Sequence, residues 1–300
     1  MADAPRWEQD GVDWPNRAQS RFVMAGGLRW HVQVMGSGPA LLLLHGTGAA
    51  THSWRDLLPL LARDFTVIAP DLPGHGFTAA PPMSGLSLPG MAAGLVALLR
   101  ALAVAPALAV GHSAGAAILA RMCIERSIAP AGLVSLNGAF LPLGGAPARL
   151  FSPLARMLAR VSLVPEIFAW QAADGRVVAR LMRGTGSTID AAGMAYYGRL
   201  MRRSGHAAAA LGMMAHWDLL PLQAALPRLA TRLLLVVGSN DRSISPADAG
   251  RVARLVPGAR VVSLPGLGHL AHEENPGEAA RLIAAFAVET GVLPRPTTPD

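Results

Sequence analysis

The sequence predicts an α/β fold: a mostly parallel eight-stranded sheet with helices on both faces and an inserted helical lid. Three observations carry this. Eight short apolar runs bounded by turn residues recur along the chain, helical patterns alternate with several of them, and residues 140–218 break the alternation with helical patterns alone. Strand, helix, strand in repetition marks a parallel sheet covered on both faces. The 300 residues are 52% hydrophobic and 15% charged, enough for one large buried core.

The runs FVMA at 22 and LRWHVQV at 28 flank a Gly-Gly pair at 26 and 27 and read as an antiparallel hairpin at one sheet edge. ALLLL at 40, TVIAP at 66, ALAV at 107, GLVSL at 132, RLLLVV at 232 and RVVSL at 260 read as buried strands. Between them SWRDLLPLLARD, LPGMAAGLVALLRAL, AGAAILARMCIER and SPADAGRVARLV carry helical periodicity. From Phe140 to Asp218 follow APARLFSPLARMLARV, PEIFAWQAA, RVVARLMR and DAAGMAYYGRLMRR, all helical in pattern. The chain therefore divides into an N-terminal extension (1–20), a core (21–139 and 219–290), the lid (140–218) and a tail (291–300).

Composition excludes several functions. All 26 basic residues are arginine, so the phosphate-gripping lysine of a P-loop is missing and an ATPase of that kind is excluded. The single Cys123 precludes an internal disulfide, no Cys/His set has zinc-like spacing, and no metal or cofactor is expected. The arginines are dispersed and form no nucleic-acid module. The opening MADAPRWEQDGVDWPNR lacks the apolar segment of a secretory leader, which predicts a cytoplasmic protein. The most membrane-like window, 91–110, is interrupted by Arg100 and Pro106 and reads as a helix and a strand rather than a span.

The chemistry centres on AVGHSAGAAI, residues 109–118. Gly111 and Gly115 bracket Ser113 between a predicted strand and a predicted helix, where a nucleophile on a tight corner needs small neighbours. A serine hydroxyl needs a base, and the base an orienting group. Asp241 follows the strand ending at 237, and His269 follows the next strand, in the chain order serine, acid, histidine. Asp241 as a helix cap and His269 as a surface histidine are the plain alternatives. His272 is the nearest rival base. His75 and His112 sit in turns and suit packing. The other acid position of such a sheet, after GLVSL, holds the uncharged Asn137, and Asp71 suits holding its own turn. The backbone N–H groups of Ala114 and of Thr47, in HGTGAA, are the candidate donors to an oxyanion. Cys123, ten residues beyond Ser113, reads as buried core.

These motifs resemble the α/β-hydrolase superfamily from Phe22 to Phe286. More narrowly, DWPNRAQSRFV, GLRWHVQVMGSGPALLLLHGTGAATHSW, APDLPGHGFT, LPGMA, VGHSAGAAI and LNGAFLP are similar to the magnesium-chelatase accessory proteins of bacteriochlorophyll biosynthesis. That resemblance implies a setting in magnesium insertion into protoporphyrin IX, magnesium-chelatase subunits as partners, and a porphyrin or porphyrin ester as ligand. The lid is both basic, with nine arginines against four acids, and apolar, which suits a flat apolar ligand with carboxylates or an anionic face of the inner membrane. Trp170, Tyr196, Arg199, Arg202 and Trp217 are its candidate ligand contacts.

The resulting expectation is a serine hydrolase acting on a carboxylic ester or related acyl bond in tetrapyrrole metabolism. The competing readings are a porphyrin-binding accessory protein without hydrolysis, and a general esterase or carbon-carbon bond hydrolase on a small metabolite.

Overall fold

The computed structural model describes residues 3–142, 163–172 and 174–295. Strands β1 (Ser20–Ala25) and β2 (Leu28–Met35) form the expected hairpin, paired from Ser20 with Gln33 to Ala25 with Leu28. β3 (Ala40–Leu44), β4 (Thr66–Pro70), β5 (Leu108–His112), β6 (Gly132–Leu136), β7 (Arg232–Gly238) and β8 (Arg260–Leu264) complete one eight-stranded sheet, ordered β1-β2-β4-β3-β5-β6-β7-β8. β2 meets β4 antiparallel, and every pairing from β4 to β8 is parallel. The hairpin thus closes one edge, and β5 lies near the middle, flanked by β3 and β6.

Alternation along β3 shows how the sheet is buried. Leu42 and Leu44 join the core on one face, and Leu41 and Leu43 join the core on the other. The helices among the described residues are α1 (Trp7–Asp10), α2 (Leu57–Leu61), α3 (Leu88–Ala101), α4 (Ala114–Ile124), α5 (Leu163–Gln171), α6 (Gly175–Gly184), α7 (Ala191–Met201), α8 (Ser204–Ala215), α9 (Leu220–Ala225), α10 (Ala247–Leu255), α11 (Ala271–Glu274) and α12 (Pro276–Glu289). α3 begins where Ser87 caps the Gly90 amide at 3.2 Å with Pro89 in the first turn. α4 and α3 cover one face, α2 and α12 the other.

The sequence patterns translate with some corrections. SWRDLLPLLARD is not one helix: it divides into a 3₁₀ turn, Thr51–Trp54, and the short α2. The turn is drawn inward because Ser53 and Arg55 bond Glu273, at 2.6 Å each. α8 and α12 were not singled out by periodicity. α8, SGHAAAALGMMA, is rich in alanine and packs on more than one side, which leaves little polar face to mark it. APARLFSPLARMLARV lies outside the described residues, and among the described residues between β6 and β7 there are helices and loops but no strand. No helix among the described residues is long and apolar enough to cross a membrane.

The first residues are strapped to this insertion. Trp14 is buried against His52, Phe77 and Tyr196, and its indole N–H donates to Thr51 Oγ1 at 2.9 Å. Arg203 pairs with Asp3 and Asp10, and Arg199 with Asp13. The apolar anchor should dominate. Trp14→Ala is expected to cost about 3–5 kcal/mol in urea denaturation, while Arg199→Ala, a half-buried pair with an exposed carboxylate, is expected to cost under about 1 kcal/mol. The reverse order would mean that charge holds the strap.

Candidate active site

Ser113 sits where β5 turns into α4, with φ 51° and ψ −117°. A non-glycine residue there stores about 1–3 kcal/mol of strain. Surrounding bonds hold it: its N–H donates to the Leu136 carbonyl at 3.1 Å, and its carbonyl accepts from Ala116 at 3.2 Å and Ala139 at 3.1 Å. The flanking glycines are required by space. A Cβ on Gly115 would lie 2.2 Å from the Leu44 carbonyl oxygen, and one on Gly111 2.4 Å from the Ala116 nitrogen. Gly46 has the same role across the gap, since a Cβ there would come within 2.9 Å of the Ser113 Cβ. The loop after β3 is thereby pressed against the serine.

Asp241 follows β7 and His269 follows β8, at the same end of the sheet as Ser113. His269 Nδ1 lies 2.8 Å from Asp241 Oδ2. The other oxygen, Oδ1, accepts the amides of Ser243 at 2.8 Å and Ile244 at 2.9 Å, so the carboxylate is fixed in orientation. Asn137, in the alternative acid position, donates to Asp241 Oδ2 at 2.8 Å and so supports the acid rather than replacing it. Ser113 and His269 line one cavity of about 580 Å³, and Asp241 stands behind the histidine.

Thr47 and Ala114 line the same cavity. Among the described residues neither backbone N–H donates to another group. Ala114 opens α4, so the helix dipole adds to its amide. Of the five lid candidates, Trp217 lines the cavity. The other four are not among the residues that line it. Tyr196 packs on Trp14 and donates to the Asp13 carbonyl at 2.8 Å. Arg199 is bound to Asp13 and to the Asp10 carbonyl, and that hydrogen bond holds the Asp13 carboxyl below its ordinary range. Trp170, 77% exposed, and Arg202 border a separate hollow with Asp3 and Ser204. Met201 of α7, unlike these four side chains, does line the Ser113 cavity.

The rival groups are occupied elsewhere. His272 is buried beside Ser53 at 2.9 Å, and burial pushes its ring down to about 3. Asp71 joins His31 at 2.7 Å and accepts the amides of Thr51 and Phe77, tying three segments together. Burial acts to raise this acid, but His31 and the amides outweigh it and hold it well below the carboxylate range. Burial pushes the Cys123 thiol up to about 11. No group of three or more His, Cys, Asp or Glu among the described residues can hold a metal ion.

The turn after α6 was not legible in advance. The Thr185 carbonyl accepts from the amides of both Arg242 and His269 at 3.2 Å, Asn240 donates to the Gly186 carbonyl at 2.7 Å, and Ser187 Oγ accepts from Leu270 at 2.8 Å. One short turn of the insertion therefore splints the loops of the acid and the histidine.

Residues 41–282 match the model of the alpha/beta hydrolase family. The chain belongs to the alpha/beta hydrolase family. Within it, the chain is 37% identical over 264 residues to the "Magnesium-chelatase 30 kDa subunit" of Rhodobacter capsulatus, covering 87% of this chain and 92% of that protein. It is 29% identical over 284 residues to the "Pyrrolizixenacetamide deacetylase" of Xenorhabdus hominickii, covering 90% and 98%. An alpha/beta hydrolase fold protein from Burkholderia ambifaria superposes with a TM-score of 0.75 at 23% identity, over 89% of this chain and 97% of that one, and shares the fold.

Of the nine histidines of this hydrolase-family chain, eight are buried. Burial pushes His45, His52, His75, His112, His206 and His272 below the ordinary range, His206 to about 4 and His272 to about 3. Each therefore stays neutral in the fold while the unfolded ring, with a pKa near 6.5, takes up a proton. Stability is whole above about pH 6.5 and is lost as pH falls. Glu273, pushed up by burial, offsets part of this. Each ring contributes up to about 1.4 kcal/mol per pH unit. The urea midpoint should fall steeply between about pH 6.5 and 5; a flat midpoint there contradicts burial as neutral rings.

Proposed function

We propose that the protein is a serine hydrolase that cleaves a carboxylic ester or related acyl bond through an acyl-enzyme. The observation that carries this reading is the strained Ser113, which shares a cavity with a histidine oriented by Asp241. Asp241 engages Nδ1 of His269, so Nε2 is the nitrogen available to the nucleophile. Ser113 Oγ would attack the acyl carbon as its proton passes to His269 Nε2. The oxyanion would form against the amides of Thr47 and Ala114. His269 would then return the proton to the departing alcohol or amine, and water would release the acyl group by the same steps reversed.

Substrate preference follows from the walls. Met182, Met201, Leu211, Met214 and Ile244 line the cavity, and Asp218 is its charged residue among the described lining. Such walls favour a bulky apolar group, with Met side chains adapting to its shape. Pairing of Arg199 and Arg202 with ligand carboxylates is not retained, since both lie outside the cavity lining. A neutral ester of a porphyrin agrees better with the walls than its free acid.

The biological setting rests on similarity to the Rhodobacter capsulatus protein named as a magnesium-chelatase subunit. We place the protein as a cytoplasmic accessory to magnesium-tetrapyrrole synthesis, with chelatase subunits as partners.

A fluorophosphonate probe should label the wild-type protein at Ser113, and Ser113→Ala should lose the adduct, as turnover falls about 10⁶-fold on loss of such a nucleophile. Asp241→Asn should remain folded and label far more slowly. Labelling of the alanine variant at the wild-type rate would end the assignment. In a bacteriochlorophyll-producing host, full pigment from a Ser113→Ala strain would favour ligand binding without hydrolysis.

A further inference from the structure

His206 belongs to α8 in the insertion, yet its ring reaches two core loops. Nε2 lies 3.1 Å from the Gly48 carbonyl oxygen, in the loop after β3, and Nδ1 accepts the Gly76 N–H at 3.1 Å, in the loop after β4. These partners fix the tautomer. Nδ1 must be the acceptor for an amide, so Nε2 carries the hydrogen and donates it to Gly48. The ring is 1% exposed, and burial keeps it neutral by pushing it down to about 4. Seven residues further along α8, on the same helix face, Met213 Sδ accepts from Thr47 Oγ1 at 3.4 Å.

The two contacts fall on adjoining residues, Thr47 and Gly48, of the segment that carries the Thr47 amide. Gly48 has φ +77°, a conformation it can leave without steric penalty. Beside its own bond from the Ala49 N–H to the Gly46 carbonyl at 3.2 Å, the loop is therefore held from outside by α8. Oxyanion donors act only when already in place, because any rearrangement during reaction subtracts from the stabilisation.

We propose that His206 is a positioning residue that locks the 45–50 loop so that the Thr47 amide points into the Ser113 cavity, making the seating of α8 a condition for catalysis. This deepens the hydrolase reading and rests on it. It assigns the insertion a role in the rate of the chemical step as well as in substrate choice.

Hydrogen exchange and p-nitrophenyl butyrate hydrolysis test the proposal on the full-length protein. His206→Ala should speed exchange of amides 45–50 and lower kcat by about 10–100-fold with little change in KM, short of the loss of about 10²–10³ for a deleted oxyanion donor. His206→Gln carries an amide nitrogen and oxygen spaced like the two ring nitrogens, so it should recover most of both properties. His206→Asn keeps an acceptor for Gly76 but falls short of Gly48, so it should behave like alanine while preserving the fold; it also reports if the alanine variant fails to fold. Unchanged exchange at 45–50 in His206→Asn, or a kcat equal to wild type, overturns the proposal. A wild-type protein that neither turns over the ester nor takes the fluorophosphonate removes the hydrolase reading, and exchange at 45–50 still decides whether His206 holds the loop.

Discussion

The reversal of direction at Ser113 sets the geometry of everything around it. A residue at φ 51° and ψ −117° relaxes unless its neighbours forbid it, and here they do. Backbone bonds with Leu136, Ala116 and Ala139 hold both sides of its peptide, β3 passes too near Gly115 for a methyl group there, and the first turn of α4 leaves no room for one on Gly111. Because β5 lies between β3 and β6, the corner is held by neighbours on both sides. The strain is small beside the burial of β3, whose four leucines are fully buried at about 1.5–3 kcal/mol each.

Around that corner the insertion is tied to the core at several points. The insertion meets the core through Thr185–Ser187 at the loops of Asp241 and His269, and through His206 at the loop of Thr47. A third tie is a buried ionic cluster. Glu273 accepts from Arg55 at 2.6 Å, Ser53 at 2.6 Å and the Tyr197 hydroxyl at 2.7 Å, and Arg55 continues to Asp190, the cap of α7. Burying such a pair costs desolvation, and the additional hydrogen bonds offset it only in one arrangement. The cluster therefore specifies where α7 sits more than it stabilises the fold.

How much of this was readable depends on the range of the interaction. β-strand periodicity, the serine corner and the order of Ser113, Asp241 and His269 are short-range or topological, and the chain displays them directly. The contact partners of Tyr196 and Arg199 are not of that kind. Their helix presents arginines in a pattern that equally suits a ligand, a membrane or solvent, and the choice is made by Asp10 and Asp13, more than 180 residues away in the chain. His206 was passed over because α8 is rich in small residues and shows no polar stripe, although a lone histidine among alanines is itself a signal. The splint at Thr185–Ser187 rests largely on the carbonyls of Thr185 and Gly186, which leave no mark on side-chain pattern, with Ser187 Oγ as its one side-chain acceptor.

The same contrast bears on function. Composition makes the insertion basic, and basicity invites the idea of anionic ligands, but Arg199 and Arg203 are neutralised by acids of the N-terminal strap and Arg55 by Glu273 and Asp190. What Ser113 faces is instead a wall of methionine, leucine and alanine with the carboxylate of Asp218 among the described lining. A low-dielectric wall strengthens each hydrogen bond to a developing oxyanion and penalises an anionic substrate for the hydration it would lose. Surface charge and cavity polarity are thus set by different residues.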